Sequence, residues 1–94
     1  MATLLMPDGT SREFVPKNKR AGFSLRELYA LISCRMVETI RHPDGRFLVI
    51  DENGKASRPD EFNAAATDLA RECYISRADH IVGPCLVCSQ GELR

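Results

Sequence analysis

The sequence predicts an α+β fold: a mainly antiparallel sheet with two helices packed on one face, in the order ββα-ββα-β. Three observations predict it. Pro7-Asp8-Gly9 recurs as Pro43-Asp44-Gly45, and each copy sits between two short strand-like runs. Each hairpin leads through a polar loop into a segment with helical periodicity. A last apolar run, His80 to Cys88, follows the second helix and closes the sheet. Helices layered on an antiparallel sheet bury such a set of elements economically. The recurrence reads either as a true repeat of two ββα halves or as reuse of a good turn.

The first hairpin is expected as strands 2–6 and 11–15. In Pro-Asp-Gly, Pro presets its own φ, Asp bonds the local backbone and Gly takes positive φ freely. Pro16 ends the second strand because it cannot donate to a ladder. Residues 16–22 form an exposed basic loop with no apolar period. The first helix carries the sharpest local signal. Ser24 with Glu27 makes a capping box, and Phe23 with Leu28 makes a hydrophobic staple. Leu25, Leu28, Leu31 and Ile32 then give one apolar face as far as Ser33.

Met36 to Arg41 alternates and is β-branched, so it reads as a strand. Arg46-Phe47-Leu48-Val49-Ile50 suits a central strand buried on both faces. Residues 55–61 read as a polar loop. The second helix is expected at 61–73, capped by Asp60 or Asn63, with Phe62, Ala66, Leu69 and Cys73 as its core stripe. Residues 74–79 connect. In 80–88 the Gly83-Pro84 break argues for an edge strand or a bulge. Such an edge would make a homodimer feasible. Residues 89–94 read as a frayed tail.

With 94 residues and 10.5 kDa, the chain is expected to be a single domain (1–94) with an ordered core at about 2–88. Apolar residues make 44% and charged residues 28%, a globular composition. Thirteen basic and thirteen acidic residues balance, which argues against a basic nucleic-acid coat and an acidic DNA mimic. Residues 1–47 hold eight basic and five acidic side chains and residues 48–94 the reverse, a polarity that chance suffices to produce in so short a chain. No apolar run approaches a membrane span, and the first residues do not read as a signal peptide, so a cytoplasmic protein is expected.

Cys34, Cys73, Cys85 and Cys88 are expected as free, buried thiols. Cys85-Leu86-Val87-Cys88 has metal-ligand spacing, and Cys34, Cys73, His42 and His80 would complete a set on paper. In a regular strand, however, positions three apart point to opposite faces. Asp51-Glu52-Asn53-Gly54 fails the calcium-loop pattern, because Phe62 stands where the bidentate Glu belongs. Pairing Cys34 with His42 or His80 as a nucleophile has nothing to fix its geometry. No catalytic residue, metal or cofactor is expected. Exposed cations remain, and they suit phosphate or carboxylate. The expected contact residues are Arg12, Lys17, Lys19, Arg20, Arg41, Asp44, Arg46 and Arg58. Stacking aromatics are scarce, only Tyr29 and Tyr74 beside four Phe expected in the core, so nucleic acid is not the favoured partner.

Phe23-Ser24-Leu25 through Leu28 and Ile32, Val37-Glu38, Leu48-Val49-Ile50-Asp51-Glu52-Asn53-Gly54-Lys55, Asn63 with its alanines, and Ile81-Val82-Gly83-Pro84-Cys85-Leu86-Val87 together resemble a family of small proteins encoded mostly by phages, plasmids and other mobile elements, a domain of unknown function. The resemblance covers residues 2–88, and Asp51 to Lys55 and Ile81 to Pro84 are its most specific pieces. It implies a mobile-element origin and no catalytic residues. The function expected on that basis is stoichiometric binding to a host protein or ribonucleoprotein, as an anti-CRISPR or other anti-defence inhibitor. The alternatives are a protein that sequesters a nucleotide signal, a small nucleic-acid-binding accessory protein and a zinc or thiol protein.

Overall fold

A computed structural model describes residues 1–73 and 79–94. The connecting segment expected at 74–79, Tyr74 included, therefore lies outside the described residues apart from Asp79. Strands β1 (Ala2–Leu5) and β2 (Ser11–Phe14) form the first hairpin, in the register Ala2–Phe14 to Leu5–Ser11. Strands β3 (Val37–Arg41) and β4 (Arg46–Asp51) form the second. The two turns share their backbone hydrogen bonds and their aspartate acceptor. Gly9 N–H donates to the Met6 carbonyl and Gly45 N–H to the His42 carbonyl. Asp8 accepts from Thr10 N–H, as Asp44 does from Arg46 N–H. Gly9 and Gly45 take φ of 90° and 96°, where an L side chain is strained.

Helix α1 (Leu25–Ile32) begins as its sequence requires. The Ser24 hydroxyl accepts Glu27 N–H, and the Glu27 carboxylate accepts Ser24 N–H. Phe23 and Leu28 are buried in one cluster, as a staple demands. Leu25, expected on the apolar face, is instead largely exposed, so Leu28, Leu31 and Ile32 carry that face. Part of the polar loop expected at 55–61 is a single helical turn, α2 (Gly54–Ser57). Helix α3 (Ala64–Arg71) is shorter than expected and is capped by Asn63, whose side chain accepts Ala66 N–H. Phe62 precedes that cap, so it is half exposed against His80 and does not enter the core stripe.

Strand β5 (Cys85–Ser89) pairs antiparallel with both β1 and β4, giving the sheet order β2-β1-β5-β4-β3. This corrects the edge-strand expectation for 80–88. Gly83 and Pro84 lie ahead of the ladder, so the break never interrupts the strand, and β5 is central. A dimer through that segment has no free edge to use; the open edges belong to β2 and β3.

The α+β class and the antiparallel sheet are as expected, but the helices do not share a face. Val49, Leu86, Leu4 and Cys88 pack with Phe23, Leu28 and Ile32. Leu48, Ile50, Cys85 and Val87 pack with Ala66, Ala70 and Cys73. Adjacent strand residues point to opposite sides, so α1 covers one face and α3 the other. The two halves are also not a structural repeat, because the inner strand is the first of one hairpin (β1) and the second of the other (β4).

The tail is not frayed. Ser89 caps a 3-10 turn at Gln90–Glu92, and Leu93 bridges in parallel to Phe23. Phe23 N–H donates to the Glu92 carbonyl. Gly22, at φ 84°, presses so close to that carbonyl that an added Cβ would lie 2.6 Å from it. Among the described residues no helix is long and apolar enough to cross a membrane.

Candidate functional site

The expected contact residues do not form one patch. Arg12 pairs with Leu4 on β2, and Arg41 pairs with Phe47 on β3, so both lie on the α1 face but at opposite edges of the sheet. Four strand spacings of ~4.8 Å separate those edges by roughly 19 Å. Arg46 Nε lies 2.7 Å from an Asp44 carboxylate oxygen, so these two compensate each other across their own turn. Lys17, Lys19 and Arg20 are exposed on a loop with internal ties. Asn18 Oδ1 accepts from Arg20 and Ala21 N–H, and Lys17 N–H donates to Glu27.

Arg58 is a structural residue. Its Nε lies 3.4 Å from the buried Asp51 carboxylate, and its terminal nitrogens donate to the Ile32 and Ser33 carbonyls. The guanidinium thereby caps the C-terminal end of α1, where unpaired carbonyls and the helix dipole favour a cation. Asn63 is fully buried and equally central. Its Nδ2 donates to the Leu5 and Gly83 carbonyls while its Oδ1 caps α3. Thr67 Oγ1 accepts Ile81 N–H. These three side chains hold α1, β1 and the 81–83 segment to the rest of the molecule.

Two grooves stand out, on opposite faces and of opposite charge. The first, about 470 Å³, runs between α1 and the end of β2. Phe14, Val15, Phe23, Ala30 and Leu31 supply its apolar surface, and Lys17, Arg26 and Arg94 rim it. Glu27 is the one acidic side chain in its lining. Its pKa is held below the usual glutamate range, first by the Ser24 N–H and then by that of Lys17. The second groove, about 390 Å³, lies over Ile40 and Ile50 on the other side of the sheet. Glu38, Asp51, Glu52 and Asp79 line it, against Lys55, which pairs with Asp79. His80 also lines this groove.

The thiols do not converge. Cys85 and Cys73 sit in the α3-side cluster, Cys88 in the α1-side cluster with Cys34 packed against it, and none forms a disulfide. The sheet thus keeps the two halves of the CxxC spacing apart. Burial pushes the Cys85 thiol up to about 12 and Cys88 up to about 11. Burial likewise raises Cys34 and Cys73, so all four lie on the unreactive side of a free thiol. Among the described residues no group of three or more His, Cys, Asp or Glu is placed to hold a metal ion. His42 is buried on the α3 side, away from Cys34. Its Nδ1 accepts Asp44 N–H at 3.1 Å, and its Nε2 has no hydrogen-bond partner among the described residues, with a Glu72 oxygen 3.5 Å away.

The family model for a domain of unknown function, DUF3846, matches residues 2–93. The chain belongs to the DUF3846 family. No curated protein and no solved structure matches this DUF3846 chain. Of the cations that rim its positive groove, Lys17 was legible in the sequence, whereas Arg26 and Arg94 were not. Arg26 reads as an ordinary solvated helix position, and Arg94 as part of a tail. Only the tail's return to Phe23 brings it to the groove.

Proposed function

We propose that this DUF3846 protein is a non-enzymatic binding module that inhibits a host defence system, such as a CRISPR effector, by stoichiometric association with a protein. The observation that carries the reading is the groove between α1 and β2. It offers an apolar surface within a charged rim, beside a strand with an open edge. That combination suits a polypeptide partner, since protein interfaces join an apolar centre to a polar surround. The resemblance to proteins of phages and plasmids supports a cytoplasmic role in mobile-element defence evasion. A nucleotide-sequestering role would call for converging arginines. The edge-to-edge separation of Arg12 and Arg41, and the inward use of Arg58, speak against it.

The test is a plaque assay in cells carrying a CRISPR, restriction or abortive-infection system, with and without the chain expressed. Restored plating of targeted phage against at least one system is expected. A purified complex of that effector with the chain should then saturate at a fixed molar ratio. Unchanged plating across the panel overturns the proposal.

A further inference from the structure

We infer that the α1–β2 groove takes an extended acidic segment of a partner protein, which adds to β2 as a sixth strand; this rests on the binding-module reading above. Three independent features point to that occupant. The first is charge. Lys17, Arg26 and Arg94 face a single acidic side chain, Glu27, whose oxygens are already engaged by the N–H groups of Ser24 and Lys17. None of the three cations lies within ion-pair distance of a carboxylate among the described residues. Their charge is available to a ligand, and the groove's counterpart on the other face has the opposite sign.

The second feature is the backbone beside the groove. Met6 N–H donates to the Thr10 carbonyl, which fixes the phase of the first hairpin. Hydrogen-bonded pairs alternate along an antiparallel ladder. Leu4–Arg12 and Ala2–Phe14 are therefore the bonded pairs. The N–H and C=O groups of Ser11 and Glu13 point outward, away from β1, as an open template for another strand. The third is side-chain parity. Arg12 and Phe14 lie on the α1 face with the groove, whereas Glu13 lies on the opposite face. An added strand would thus meet a cation and an apolar surface on one side, and would keep its own acidic residues clear of Glu13. The apolar surface, Val15 half exposed within it, favours a polypeptide that carries apolar as well as acidic side chains on its groove-facing positions over a nucleic-acid backbone.

The experiment is a fluorescence-polarisation titration of the full chain with four labelled probes: an eight-residue peptide in which glutamate and leucine take turns at every second position with threonine between them, so that both reach the groove face, its lysine-for-glutamate counterpart, the acidic peptide N-methylated at alternate amides, and an eight-nucleotide oligothymidine. Saturable binding of the acidic peptide is expected, weakening steeply with added salt. Binding at least tenfold weaker is expected for the other three probes. The variants Arg26→Glu and Lys17→Glu should each weaken the acidic peptide at least fivefold with unchanged melting temperature, since both side chains are exposed; R26E/R94E should weaken it further and also lose some thermal stability, because Arg94 Nε donates to the Gly22 carbonyl. Equal binding of acidic and basic peptides, tighter binding of oligothymidine, or full affinity of the N-methylated peptide overturns the inference. The plaque assay separates the two claims. Wild-type chain that never restores plating overturns the defence-inhibitor reading, and the titration still reads the groove. Arg26→Glu that restores plating as well as wild type overturns the groove and leaves that reading standing.

Discussion

Asn63, like Arg58, concentrates long-range structure in one polar side chain. It accepts one hydrogen bond within α3's first turn, and it donates two to carbonyls of Leu5 and Gly83, distant in sequence. A buried amide that meets all its partners specifies one arrangement, and leaving a partner unpaired costs about 1–3 kcal/mol. Asn63→Asp keeps the cap acceptor and turns two donors into a carboxylate facing two carbonyls. Urea unfolding should show a loss of about 3 kcal/mol or more at neutral pH, partly recovered at pH 4 as the carboxyl protonates. Equal stability of the two proteins would mean that the carbonyls find other donors. The sequence marked Asn63 as a helix cap, and it is one. Its two outward bonds were invisible, because nothing local pairs residue 63 with residues 5 and 83. Arg58 is the converse case. It read as an exposed contact residue, and only its distance to Asp51 and to the end of α1 shows it turned inward.

Among the elements, those encoded over four or five residues were legible. The capping box of α1 and both Pro-Asp-Gly turns form as their residue chemistry requires. Elements whose position depends on partners were not. The sheet needed cover on both faces, which the unbroken apolar runs of β4 and β5 already implied. Placing both helices on one face followed from the apparent repeat instead, and the repeat ends at the turns. The tail reads as frayed from its own residues because its order comes from Phe23, across the molecule. Its junction gives a test. At Gly22 both the positive φ and the backbone of Glu92 exclude a side chain. Gly22→Ala should lower stability by about 2 kcal/mol or more, read as the denaturant midpoint. Gly9→Ala, with the same sign of φ but open space around it, should lose about 1 kcal/mol. Matching losses at both sites would show that the tail does not hold Gly22.

At the scale of the whole molecule, stability should fall on both sides of neutrality. Local hydrogen bonds hold Asp8, Glu27 and Asp44 below the ordinary carboxylate range: the Thr10 hydroxyl and N–H, the Ser24 N–H and the Arg46 N–H respectively. A depressed carboxyl contributes above its unfolded value and loses that contribution as pH falls through its folded value. The acid limb should therefore begin below about pH 4.5, close to the ordinary glutamate value. Cys85 and Cys88 give the alkaline limb. Unfolded thiols ionise near 9.0, whereas burial holds these two protonated to about 12 and about 11. Between those values the folded state binds more protons, so stability falls as pH rises. Urea midpoints should drop from pH 8.5 to pH 10.5, and a Cys85→Ala/Cys88→Ala variant should give a shallower decline. Identical slopes in the two proteins would assign the alkaline loss to other groups.

The sheet order carries a consequence for how the molecule comes into being. β5, which follows the other four described strands along the chain, is the keystone between two hairpins that do not touch each other through their own ladders. While a ribosome is still making residues 85–89, β1 and β4 each present a bare inner border with nothing to zip against. Assembly of the whole sheet must wait until residues 85–89 have been made, and chains stalled before them are the ones most exposed to clumping and to chaperone capture.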